Sequence, residues 1–305
     1  MKIIDSHVHI FETLRGFNGK GELTPIGKGQ ARWANGEVVK MIPPEMGEFA
    51  FTAETCYNVL KENGAERAVL LQGSFYGFQN EYVAQTALKY SDMFIGAGTF
   101  DPMGYYADAI YNRLTNDLKM KILKFETSTG CGFMSYHRVF DISEVFMPIA
   151  KKCTENNQTL VLDIGSPGMS SFQPESIAKI AKTFPELRIV VCHLLAPTLK
   201  EGDEEALKKS LNLLTSNHIY FDLAAIPFNV QPEEYPYPTG IKYIQFAKDI
   251  VGYDKLLWGT DIPSVLNSYS YQQLINYIID SNLFTEKELS AILYDNAFKV
   301  YPFEV

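Results

Sequence analysis

Residues 2–9 read Lys-Ile-Ile-Asp-Ser-His-Val-His. Two β-branched isoleucines open the run, and it ends on Asp5, His7 and His9 rather than in a turn. That is the pattern of a buried strand whose C-terminal end presents polar groups. Seven further short apolar runs follow, at 67–72, 93–99, 121–126, 159–164, 188–193, 218–223 and 255–261. Between them apolar residues recur with helical spacing, at 54–63, 81–89, 105–118, 144–156, 174–183, 204–215 and 241–251. Two more helices close the chain, at 272–281 and 286–299. Strands that alternate with helices build a parallel sheet. Eight such units in 305 residues predict an α/β fold, a (β/α)8 TIM barrel formed by a single domain over 1–305. An open doubly wound sheet would call for a glycine-rich first turn, and none follows the first strand.

One stretch breaks the repeat. Residues 11–50 form a long, Gly-rich insertion after the first strand, carrying Arg15, Phe17, Arg32 and Trp33. A loop of that length inside a barrel is expected to be a lid or to be disordered. A second irregular stretch, 226–240, holds Pro227, Pro232, Pro236 and Pro238. Both leave strands at their C-terminal ends, the catalytic face of a barrel.

Composition narrows the classes of function. Hydrophobic residues make up 46% of the chain, enough to fill a large core. Lys plus Arg number 27 against 36 Asp plus Glu, a net charge of −9, which disfavours a nucleic-acid partner. No apolar run reaches the roughly 18 residues of a membrane span, and the N-terminus lacks the apolar region of a signal peptide. A cytoplasmic address and a small-molecule substrate are the expectation. Cys56, Cys131, Cys153 and Cys192 form no Cys-x-x-Cys pair and read as free thiols.

Chemistry collects at the predicted strand ends. Side chains alternate along a strand, so His7 and His9 share a face, about 7 Å apart, and both reach one metal ion from one side. Asp261 ends the eighth run, Leu-Leu-Trp-Gly-Thr-Asp, and in a closed barrel the eighth strand lies beside the first. A carboxylate there ligates the metal, takes a proton from a water, or simply caps the following helix. His193 ends the sixth run, as a ligand or as a group that handles substrate protons. Asp163 ends the fifth. On the fourth, Lys124 and Glu126 share a face, with Lys124 either in the mouth or at a solvated strand end.

His-x-His on the first strand, "RIVVCHL" at 188–194 and "LLWGTDIP" at 256–263 together resemble the amidohydrolase superfamily, in particular its amidohydrolase-2 branch of decarboxylases, hydratases and lactonases. The resemblance runs in order from residue 3 to residue 263. It implies that His7, His9 and Asp261 ligate a metal and that His193 handles the substrate proton or carbonyl. The branch usually ends strand five with a metal-binding histidine, and Asp163 stands there instead, which implies a harder metal site or a metal-free one like that of some lactonases. Lys124 lies on the strand that supplies a carboxylated lysine in dinuclear relatives, whereas this branch is mostly mononuclear. The resemblance implies a hydrolase using one divalent ion, Zn²⁺ or Mn²⁺, with Asp163 or His193 completing the shell, on a C–O or C–N bond of a small organic acid, lactone or amide. Its alternatives are a metal-dependent decarboxylase of an unsaturated or aromatic acid, a metal-independent lactonase, and a non-catalytic binding barrel. Relatives often pair as homodimers. Expected substrate contacts are Arg15, Arg32, Tyr76, Lys124, His137 and Arg138 for polar groups, and Trp33, Phe17 and Phe75 for a ring.

Overall fold

A computed structural model describes residues 1–303. Eight parallel strands run in the order of the chain: Ile4–Val8, Arg67–Leu70, Phe94–Gly98, Ile122–Glu126, Thr159–Asp163, Ile189–Val191, Ile219–Asp222 and Leu256–Leu257. Helices lie between them, among them Ala53–Glu62, Asn80–Lys89, Ile142–Glu155 and Pro174–Thr183. Several strands are buried on both faces, as strands covered by an outer ring of helices must be. Helix starts are set by local chemistry: the Thr52 hydroxyl accepts from Thr55 N–H, and Ser270 with Gln273 forms a reciprocal cap.

The barrel closes through the main chain after the short eighth strand. Ser6 N–H donates to Trp258 O (3.1 Å), Asp261 N–H to His7 O (2.8 Å) and His9 N–H to Ile262 O (2.9 Å). Asp5 reinforces the seam by accepting from Thr260 N–H at 2.9 Å and the Thr260 hydroxyl at 2.7 Å. It also accepts from the Tyr271 hydroxyl of an outer helix, at 3.1 Å. Asp5 therefore faces outward. Ile4 joins the inner apolar cluster while Val8, four residues on, joins the outer one. An uninterrupted strand would put both on one face. The pairing register shifts between Asp5 and Val8, and that single shift turns His7 and His9 into the mouth.

Two cores result. The inner one holds Ile4, Val69, Ile122, Val161, Val190, Tyr220 and Leu257, and is plugged by Ala297 and Val300 of the final helix and Tyr301 just after it. That helix lies at the strand starts, where the Thr159 hydroxyl donates to Val300 O at 2.9 Å. The strand ends are left to the site.

Three expectations need correction. The insertion is an ordered four-stranded antiparallel sheet, Phe17–Asn18, Gly21–Gly27, Gln30–Trp33 and Val38–Lys40, not a structureless loop. Phe17 N–H donates to Ser74 O (2.8 Å) and Arg15 N–H to Tyr76 O (3.0 Å), which tie it to the loop after the second strand. The sixth strand stops at Val191, so His193 sits in a turn rather than on a strand. The last predicted helix is divided into Glu286–Ser290, a π-helical Ala291–Asp295 and Asn296–Val300.

Candidate active site

The strand ends enclose a cavity of about 460 Å³. Its floor carries His7, His9, Asp163, His193 and Asp261, its walls Lys124, Glu126 and Tyr76, and the insertion adds Val39 and Lys40.

Three donor atoms, from His7, His9 and Asp261, lie within 4.8 Å of one another. His9 Nε2 is 3.0 Å and His7 Nε2 3.6 Å from Asp261 Oδ1. The far nitrogen of each ring is already committed. His9 Nδ1 faces the Leu71 carbonyl at 3.0 Å, and His7 Nδ1 faces Asp222 Oδ2 at 3.1 Å. A carbonyl or carboxylate oxygen only accepts, so each Nδ1 bears a proton, and each Nε2 is turned towards Asp261. Burial holds the His9 imidazole down to about 4, against the pull of Asp261, so the ring is neutral at pH 7. The same histidines hold Asp261 well below the usual carboxylate range despite its burial. With Nε2 free of its proton, ring and ionised carboxylate face each other acceptor to acceptor, a contact that a proton between them or a bound cation would relieve. Two imidazoles and a carboxylate are a donor set suited to a divalent metal ion.

A second cluster, His7, Cys192 and Asp222, is equally compact. Burial pushes the Cys192 thiol well up, and the Asp222 oxygens are taken by hydrogen-bond donors. This cluster supports His7 from behind.

His193 and Asp163 stand beside the donor set. His193 has φ 56°, and Leu194, Leu195 and Ala196 continue in the left-handed region. Such a run is costly and persists only where its surroundings hold it. Here His193 N–H donates to Asp222 Oδ1 (2.8 Å), and Ala196 N–H donates to His193 O (2.8 Å). His193 Nδ1 faces Ala224 O at 3.1 Å, which leaves Nε2 towards the cavity, 3.7 Å from Asp163 Oδ2. Burial pulls the His193 imidazole down, but Asp222, Asp261 and Asp163 outweigh it and raise it above the ordinary value. Asp163 Oδ1 accepts from Gly165 N–H at 2.9 Å; Gly165 has φ 77°, where a side chain would be strained and would meet the Met169 sulfur.

Lys124 and Glu126, two apart on the fourth strand, both face the cavity and are 3% and 7% exposed. Among the described residues neither charged end has an ion-pair partner within 4.0 Å. Burial opposes the Lys124 charge, but Glu126, Cys192, Asp163 and Asp261 outweigh it and keep the ammonium protonated. Burial pushes the Glu126 carboxyl up, with Asp163 adding to the rise and Lys124 opposing it. Gly73 makes room for both: a Cβ there would collide with Glu126 Oε2 and crowd Lys124 Nζ at 3.1 Å.

Of the expected substrate contacts, Tyr76 and Lys124 line the cavity, as does Phe75. Tyr76 packs its ring 4.7 Å from that of His9. The others do not line it. Arg32 alternates outward along its strand and is exposed, while Ala31 and Trp33 take the inner face. Trp33 is spent on packing, 1% exposed and 5.9 Å from the Phe75 ring. Arg15 and Arg138 are exposed, and His137 pairs with Asp101 at 2.7 Å. Phe17 is 49% exposed beside Tyr136. Two contributions escaped the sequence reading. Asp222 ends its buried strand as Asp163 does, a signal that was available; Ser264, Asn267 and Phe228 lie in single helical turns outside the strand–helix repeat, which carry none.

The comparisons with known proteins agree with this architecture. A probable 2-pyrone-4,6-dicarboxylic acid hydrolase of Acinetobacter baumannii, solved with citric acid bound, superposes with a TM-score of 0.69 at 17% identity, covering 99% of this chain and 100% of that one. An amidohydrolase of Burkholderia multivorans with bound zinc gives 0.71 at 14% identity, over 100% of both chains. A 5-carboxyvanillate decarboxylase of Sphingomonas paucimobilis gives 0.55 at 12% identity, over 81% of this chain and 82% of that one. At such identities these likenesses show the shared fold. Among curated proteins no significant match is found. No helix among the described residues is long and apolar enough to cross a membrane. The sequence model of the amidohydrolase-2 family matches residues 4–303, so this chain belongs to that family of enzymes.

Proposed function

We propose that the protein is a mononuclear metal-dependent hydrolase of a small carboxylate-bearing lactone, ester or amide, with one divalent ion, Zn²⁺ before Mn²⁺, held by His7, His9 and Asp261. The observation that carries this reading is the convergence of His7 Nε2 and His9 Nε2 on Asp261 Oδ1, at 3.6 and 3.0 Å. Bound there, a divalent ion would polarise a carbonyl or bring the pKa of a water to about 7. The remaining work falls to side chains of the cavity. His193, favoured in its protonated form by three carboxylates, holds a proton at Nε2 for the departing oxygen or nitrogen. Asp163, 3.7 Å away, favours the charged imidazole electrostatically. Lys124 offers an unpartnered ammonium to a substrate carboxylate. Tyr76 and Phe75 give the substrate body an apolar wall.

The decarboxylase of the same fold supports a second reading, loss of CO₂ from an acid bound through the same residues. Both are tested by incubating zinc-loaded protein with a panel of small lactones, esters, amides and unsaturated acids in ¹⁸O-water. Hydrolysis places ¹⁸O in a product carboxylate; decarboxylation releases CO₂ and leaves the organic product free of ¹⁸O. If the zinc-loaded protein does neither, while the metal-free protein turns over a lactone at full rate, the metal reading is wrong.

A further inference from the structure

We propose that Asp222 is a positioning residue of this site, fixing which nitrogen of His7 carries the proton. The proposal rests on the reading of His7 as a ligand, and its test separates the two.

Asp222 ends the seventh strand and is fully buried. Its two oxygens have different partners. Oδ1 accepts the backbone N–H of His193 at 2.8 Å and of Ala224 at 3.1 Å. Oδ2 lies 3.1 Å from His7 Nδ1. A carboxylate only accepts, so the proton of a neutral His7 sits on Nδ1 and Nε2 keeps its lone pair, aimed at Asp261. The same carboxylate pins the left-handed turn that delivers His193. One buried group thus orients a first-strand ring and a sixth-strand turn.

Asp222→Asn tests this with almost no change of shape. Only one orientation of the amide preserves both backbone bonds, with its oxygen at the Oδ1 position. The NH₂ then faces His7 Nδ1 and donates to it. The His7 proton must move to Nε2, where it points at Asp261 and removes the lone pair.

The experiment uses metal-free, ¹⁵N-histidine-labelled protein at a pH where His7 is neutral. Long-range ¹H–¹⁵N spectra report the tautomer, and the His7 signals are those lost in His7→Gln. The expected result is Nδ1–H in the parent and Nε2–H in Asp222→Asn. Competition with a chromophoric chelator should show zinc affinity falling about 10- to 100-fold in the variant, as loss of a supporting partner does. Nε2–H in the parent overturns the proposal without any variant having to fold, and an unchanged tautomer in Asp222→Asn overturns it too. If the tautomer switches but the parent takes up no zinc, the ligand reading of His7 falls and the positioning role of Asp222 stands.

Discussion

His9 Nε2 lies 3.0 Å from Asp261 Oδ1, across 252 residues of chain. Barrel closure makes the pair: Asp261 N–H donates to His7 O and His9 N–H to Ile262 O, so the backbone clamps both residues before their side chains meet. Asp261 is held there with φ 73°, a conformation that costs free energy outside glycine. Asp261→Asn removes the only carboxylate of the three-donor group. Zinc content and turnover should fall together, with affinity dropping by more than the 10- to 100-fold typical of a supporting partner. Metal analysis of the purified variant checks this; full zinc retention would remove Asp261 from the ligand set.

His193→Asn should behave differently. The ring lies outside the compact donor set, and its backbone N–H, which makes the structural bond to Asp222, survives the substitution. Fold and zinc content should persist while kcat falls by about 10²–10⁴, the usual worth of a general acid or base. Turnover at the parent rate would make the histidine structural.

Asp163→His places the residue usual for the family at the end of the fifth strand. The Asp163 oxygens lie against Gly165 N–H and His193, not among the three converging donors. Zinc affinity should therefore stay within a few fold of the parent, while the pH profile of kcat shifts because His193 loses a stabilising carboxylate. A large gain in zinc affinity, measured against a chelator, would make this position a ligand.

Lys124→Met keeps the length of the side chain and removes the unpartnered ammonium. A hydrogen bond to a charged group contributes about 1.5–3 kcal/mol, so KM for a carboxylate substrate should rise roughly 10- to 100-fold with kcat less affected. Equal kinetics for parent and variant would place the substrate carboxylate elsewhere.

Stability of the metal-free protein should depend on His9. Its folded pKa is lowered by burial from 6.5 to about 4. Between those values the unfolded chain binds the extra proton and the folded chain does not. Stability is thus fully present above pH 6.5 and is lost as pH falls towards 4, by about 3 kcal/mol at most. Denaturant melts from pH 7 to 4 check the sign, and His9→Gln should flatten that part of the curve. Asp5, pushed up to about 7 by burial, contributes with the opposite sign in this window. The His9 part is therefore the difference between parent and His9→Gln, and a difference that does not shrink as pH falls from 6.5 to 4 would contradict it.

The alternation of apolar runs with helical spacing was enough to specify the barrel, because burial on both faces leaves a parallel strand no polar positions except at its ends. For the same reason His7, His9, Asp163, His193 and Asp261 were legible: a polar residue closing such a run has no packing role. The insertion misled, since its short strands pair only with one another and their glycines resemble those of a loop. Tertiary structure decided the rest. Alternation alone could not show that a register shift after Asp5 turns that carboxylate outward and both imidazoles inward. Nor does any local pattern tell an exposed Arg32 from a cavity-facing Lys124, because closure of the sheet chooses which strand face becomes the interior. The partnership of Asp222 with His7 spans 215 residues and exists only once the seventh strand has taken its place in the ring.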